Sequence, residues 1–184
     1  MKAASKHTLV LGIFPNTRGF AFALFEGPLA PVDWGIVRIR EKQKNRRCIE
    51  RISQLFGRYS PDILLLQDMD EPRAHRAARV RDLNEAISVL AETQGIHTLA
   101  YSRARVRRCL DAQGFRIRHQ MAEAIGKHIP MLKRFVPPQR KLWMAEDPRM
   151  ALFEAVGLVL TFYQSQAFPE QPGENPSAAT PSMG

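Results

Sequence analysis

The residues that could do chemistry in this 184-residue chain are a few isolated acids and a crowd of arginines. Asp68, with Asp70 and Glu71 close behind, follows the apolar run Ile63-Leu64-Leu65-Leu66. Open α/β sheets place their sites beyond the carboxyl ends of such strands. Glu154 stands in Met150-Ala-Leu-Phe-Glu-Ala-Val-Gly-Leu-Val-Leu160, a helical pattern that is apolar nearly all round. A carboxylate there is costly unless it is paired or ligating. Asp147 precedes Pro148 and suits a helix N-cap with proline at N1. His75, His97, His119 and His128 show no metal-ligand spacing, although His119 lies in the basic patch Arg116-Ile-Arg-His119. Walker loops, dinucleotide fingerprints, nucleophile elbows and zinc signatures are absent.

The arginines have a pattern of their own. Arg103, Arg105, Arg107 and Arg108 fall within six residues, so they cannot all face a core. With Arg116, Arg118, Lys127, Arg140 and Lys141 they form a candidate DNA- or RNA-contacting surface, and Arg18 in the first turn can join them. Such contacts are to backbone phosphates and follow structure, because no base-reading motif is present. Residues 1–70 carry 11 Lys and Arg against 7 acids, residues 71–141 carry 15 against 6, and residues 142–184 carry 1 against 5. The net +9 is thus concentrated in the middle of the chain, which points to a polyanionic partner. Arginine's planar fork suits phosphate.

These side chains must be positioned by a recognisable set of elements. Leu9 to Phe14 and Phe20 to Phe25 are apolar runs joined by a turn cluster at Pro15 to Gly19, which predicts a β-hairpin covered on both faces. Asn16 and Gly19 are the residues suited to positive φ there. A third strand is expected over residues 32–39. Cys48, Ile49, Ile52, Leu55, Phe56 and Tyr59 then recur at helical spacing, and Ser60-Pro61 ends the helix. Ile63–Leu66 reads as a buried parallel strand. A second helix carries Leu83, Ala86, Ile87, Leu90 and Ala91, and a strand follows over Ile96 to Tyr101. Ser102 caps a short basic helix, and Arg118 to Ile129 forms another. Residues 130–142 read as a loop, and the last helix opens at Asp147-Pro148. The predicted organisation is one α/β domain over residues 1–166, a mixed sheet of three antiparallel and then parallel strands with helices on both faces, and a disordered tail over 167–184. Two cysteines, no leader and no bilayer-length apolar run make a cytoplasmic protein with no membrane partner the expectation.

This order resembles that of the ribonuclease H-like superfamily, in particular the RuvC-type Holliday-junction resolvases. Local matches are Gly12-Ile13-x-Pro15-x-Thr17-Arg18, Arg51-Ile52, Ser60-Pro61-Asp62, Tyr101-Ser102-x-x-x-Val106-Arg107 and Glu154-Ala155. The resemblance implies phosphodiester cleavage by two Mg2+ about 4 Å apart, held by acids of the first strand, the fourth strand and the last helix. The first of those positions falls on Phe14 and the second on Gln67, with Asp68 next to it. Glu154 matches one acid of the last helix, but its partner position is Ala151. Asp147 stands seven residues before Glu154, roughly 10 Å along the helix.

The family's metal site is therefore largely missing from the sequence. The expectation is a degenerate, non-catalytic member that binds structured DNA, or less readily RNA, through its basic face. The alternative is a Mg2+-dependent, structure-selective endonuclease with a rearranged site in which Asp68 and Glu154 hold metal and Asp147 or Asp70 assists. A third reading is a protein-interaction scaffold whose arginines meet an acidic partner. The resemblance also implies a homodimer acting on a two-fold junction. Whether the protein is an enzyme stays open at this point.

Overall fold

A computed structural model describes residues 8–69, 77–111, 118–141 and 143–167. Asp70, Glu71, His75, Arg116 and the expected tail from 168 onward lie outside the described residues. The opening apolar runs form β1 (Val10–Asn16) and β2 (Gly19–Gly27), and β3 (Ala30–Arg38) follows. Then come α1 (Lys44–Tyr59), β4 (Ile63–Gln67), α2 (Ala78–Thr93) and β5 (His97–Tyr101). The remainder is helical: α3 (Arg103–Asp111), α4 (Arg118–His128), a 3-10 helix (Pro130–Phe135) and α5 (Met150–Ala167). The five strands make one sheet in the order β3-β2-β1-β4-β5. β1, β2 and β3 pair antiparallel, while β4 is parallel to both β1 and β5. This is the mixed sheet expected from the element order.

Helices cover both faces, which is why the central strands are apolar at consecutive positions and not at alternate ones. Leu11 and Ile13 of β1 join Leu64 and Leu66 of β4 beneath α1 and α2, with Cys48, Ile52, Phe56, Leu83 and Ile87. Val10 and Phe14, together with Leu65, pack on the other face against Met121, Leu152, Ala155, Val156 and Val159. α5 presses hard on β1 at Gly12. A Cβ there would stand 2.6 Å from the Ala155 carbonyl oxygen and 2.9 Å from Val159 Cγ2. Only glycine permits this approach, and it brings the middle of α5 beside Phe14.

Three local expectations are corrected. The hairpin turn is tighter than the Pro15–Gly19 cluster suggested, since Asn16 pairs with Gly19 across a two-residue loop. Gly19 has φ +150°, whereas Asn16 is not among the positive-φ residues and works through its side chain. The segment after α4 is not a loop from the outset, because Pro130, with φ preset and no N–H to satisfy, starts a turn of 3-10 helix. No helix among the described residues is long and apolar enough to cross a membrane.

Candidate nucleic-acid interface

The site is built outward from the β1–β2 turn. Asn16 Oδ1 accepts from the Arg18 backbone N–H at 2.8 Å, an Asx-type closure that shapes the two-residue loop. A Cβ at Gly19 would lie 2.1 Å from the Val37 carbonyl oxygen, so the turn tucks under β3 only because that residue is glycine. From below, the Arg79 guanidinium of α2 donates to the carbonyls of Asn16 (3.1 Å) and Thr17 (2.7 Å) and to Asn45 Oδ1 of α1 (2.7 Å). Asn45 returns a hydrogen bond to the Arg79 carbonyl at 3.0 Å. The cation satisfies turn carbonyls that would otherwise need water, and two helices thereby fix one turn.

Beside this turn lies a cleft of about 400 Å3 between β1, β3 and the start of α5. Phe14 and Ala151 line it, 4% and 8% exposed, and Glu154 lines it from the next turn of α5. Behind it a small void is bounded by Phe14, Gln67, Arg103 and Glu154, with Gln67 4% exposed. The three strand and helix positions at which the family resemblance expects acids, Phe14, Gln67 and Ala151, are therefore brought together, and none carries an acid.

Glu154 is held by a cation. Its side chain is 15% exposed, and the Arg118 guanidinium at the start of α4 contacts both Glu154 Oε1 and Glu146 Oε1. The Glu146 contact is a hydrogen bond. The Glu154 contact is charge against charge, with no hydrogen bond to the enclosed Oε1. Asp147 is also engaged. Its Oδ1 accepts from the Arg149 backbone N–H at 2.9 Å, as expected of an N-cap. Turn hydrogen bonds from Met150, Ala151 and Leu152 back to the carbonyls of Asp147, Pro148 and Arg149 lead into α5, so its start at Met150 and the expected opening at Asp147-Pro148 differ only as helix ends commonly do. The Arg149 side chain forks onto both carboxylate oxygens of Asp147, at 3.0 and 2.7 Å. That fork holds the Asp147 carboxyl below its ordinary pKa, against the opposing effect of partial burial.

Mg2+ requires several oxygen ligands at short range. Here the cleft floor offers a phenyl ring and a methyl group, the void behind it a carboxamide, and the one recessed carboxylate faces a guanidinium. Asp68, half-buried, donates its backbone N–H to the Tyr101 carbonyl at 2.9 Å and does not line the cleft. Among the described residues no group of three or more His, Cys, Asp and Glu side chains is placed to hold a metal ion. The described residues do not fit a two-metal centre. Burial pushes both Cys48 and Cys109 up from the ordinary thiol pKa.

The basic residues divide into two kinds. Arg105 turns inward, with Nη2 bonded to Ser165 Oγ at 3.2 Å and its guanidinium over the Tyr101 ring at 4.9 Å. Arg118 is committed to Glu146 and Glu154. Arg18, Arg103, Arg107, Arg108, Lys127, Arg140 and Lys141 are exposed. His119 is anchored through Nε2 to the Pro137 carbonyl at 3.0 Å. The cleft itself is charge-balanced, with Arg18, Arg38 and Arg118 facing Glu146, Asp147 and Glu154. Any attraction for a polyanion therefore comes from the surrounding surface and not from the cleft floor.

No protein-family model matches the chain, and no curated protein matches it in sequence. Solved structures do match it in shape. Thermus thermophilus RuvC in complex with a Holliday junction substrate is similar over 88% of this chain and 98% of its own, at 17% identity and a TM-score of 0.61. A second structure of Thermus thermophilus RuvC covers 87% of this chain and 97% of its own, at 18% identity and 0.57. The yeast mitochondrial Holliday junction resolvase covers 90% of this chain and 82% of its own, at 14% identity and 0.63. With the strand order, the parallel β4–β5 pair and α5 lying on β1, these likenesses place the chain in the ribonuclease H-like fold, in the form carried by the RuvC-type resolvases.

Proposed function

We propose that the protein binds branched or otherwise structured nucleic acid, DNA in preference to RNA, and does so without metal-dependent cleavage. The observation that carries this reading is the pairing of Glu154 with Arg118 over a floor of Phe14 and Ala151. A guanidinium now faces the one recessed acid that could have served a metal. Binding is supported by the exposed arginines and lysines of α3, α4 and the segment before α5, which suit phosphate and carry no base code. The preference for DNA is supported by the Thermus relative, whose structure is a complex with a Holliday junction. A homodimer on a two-fold substrate belongs to the same proposal.

The test is to incubate purified protein with a four-way junction, linear duplex and RNA, with and without Mg2+ or Mn2+, scoring retention and strand integrity. Retention with intact strands is expected. Metal-dependent cleavage lost in Glu154→Gln would establish the nuclease reading instead, with ligands drawn from Asp68, Asp147 and Asp70. No salt-sensitive retention of any nucleic acid would leave the exposed arginines to an acidic protein partner.

A further inference from the structure

The segment between the 3-10 helix and α5 presents an aromatic ring that the fold does not use. Trp143 is 80% exposed and its neighbour Met144 47%, while the protein's other tryptophan, Trp34, packs partly buried against the sheet. A large ring standing in water gives the folded chain nothing, so its use lies in what it touches next. Lys141 sets its ammonium 5.5 Å from the Trp143 ring centre, covering one face and leaving the other to solvent. Arg140, next to Lys141 in the chain, is exposed too, and the preceding 3-10 helix carries the exposed cations Lys133 and Arg134. The nearby acids are engaged elsewhere, Glu146 with Arg118 and Asp147 with Arg149. Two residues beyond Trp143, Ala145 begins the rim of the cleft.

An open aromatic face with a cation at the ring and another next to it in the chain is the arrangement that takes an unstacked base while the cations hold the flanking phosphates. We infer that Trp143 stacks on a nucleobase exposed at a branch point or strand end, with Lys141 and Arg140 on the adjoining backbone. This rests on the nucleic-acid reading above and adds to it a specific contact, one that gives a preference for branched or unpaired sites over continuous duplex.

The ring reports its own contact. Tryptophan emission is followed while the protein is titrated with a four-way junction, a single strand and a linear duplex, some carrying 2-aminopurine beside the branch. The parent is compared with Trp143→Phe, Trp143→Ala and Lys141→Ala, after melting curves confirm that each folds. Stacking predicts quenching by junction and single strand that disappears in Trp143→Phe, where only Trp34 remains. It predicts affinity lowered about tenfold or more in Trp143→Ala and largely kept in Trp143→Phe. The salt slope should be unchanged by either tryptophan substitution and lowered by about one in Lys141→Ala. Equal affinity of parent and Trp143→Ala for all three DNAs overturns the inference while leaving the binding function standing. Loss of self-association in Trp143→Ala at unchanged DNA affinity overturns it too, assigning the ring to a protein surface. Failure of the parent to bind any nucleic acid removes the function reading and this inference with it.

Discussion

Removing the Arg118 cation should destabilise the fold much more than removing either acid it touches. In Arg118→Met, Glu154 keeps a carboxylate whose side chain is only 15% exposed, beside Phe14 and Leu158, and loses its one ion pair among the described residues, with Arg103 on the same void but not paired to it. Breaking a fully buried pair from one side costs about 3–5 kcal/mol. Arg118 is itself 38% exposed, so screening reduces the figure to about 2–3 kcal/mol. The Glu146 contact, with 45% of that side chain exposed, adds under about 1 kcal/mol. At about 2–4 °C per kcal/mol for a domain of this size, the combined loss of about 2–4 kcal/mol should lower the melting temperature by roughly 4–16 °C. Glu154→Gln leaves Arg118 half in water and still bound to Glu146, so its cost should stay below about 1 kcal/mol. Arg118→Met with Glu154→Gln should recover most of the loss, giving a positive coupling energy in a double-mutant cycle. Thermal and urea melts of the four proteins check this. A melting temperature for Arg118→Met within about 1 °C of the parent, or a larger loss from Glu154→Gln, would refute the reasoning.

Other consequences follow from single contacts. Gly12→Ala forces a Cβ to within 2.6 Å of the Ala155 carbonyl, and neither β1 nor α5 can yield cheaply, so about 1–3 kcal/mol of stability should be lost in urea melts. Asp147→Asn keeps the cap oxygen but loses the charge held by Arg149. Because the folded Asp147 carboxyl lies below its unfolded pKa of about 3.9, its stabilisation is present above that pH and lost as pH falls through the lower folded value. The gap in melting temperature between parent and Asp147→Asn should therefore be full at pH 7 and close below about pH 4. Arg108→Ala should reduce the salt slope of DNA binding by about one without changing the melting temperature, whereas Arg105→Ala should lower the melting temperature, because that guanidinium is tied to Ser165 and Tyr101.

The elements were legible in the sequence wherever burial imposes a period. The helical spacing of Cys48, Ile52 and Phe56 and the unbroken apolar run of β4 both reflect a sheet covered on two faces. The Ser102 cap is local chemistry and could be read directly, its Oγ accepting from the Arg105 N–H at 3.1 Å. What spacing could not show is pairing between distant elements. Arg118 and Glu154 are 36 positions apart, and the sequence counts the first as a phosphate contact and the second as a site acid. Only the packing of α4 on α5 reveals that each answers the other. Arg79 was missed for the same reason, hidden in an Ala- and Arg-rich stretch with no mark that it would anchor the first turn. The 3-10 helix at Pro130 lacks enough residues to show a period. Phe14, Gln67 and Ala151 could be read as departures from a pattern, and the fold gathers them at the cleft and the small void behind it.

The central question for this protein is whether it holds a junction without a metal. The most direct measurement is the equilibrium affinity of the purified chain for a four-way junction in EDTA, over a range of salt, followed by addition of Mg2+ and inspection of the strands. Strong binding in EDTA is predicted, falling linearly on a log–log plot with a slope that reports several phosphate contacts, with strands intact after Mg2+ is added. Binding that appears only with Mg2+, or strands cut symmetrically once it is present, would contradict it.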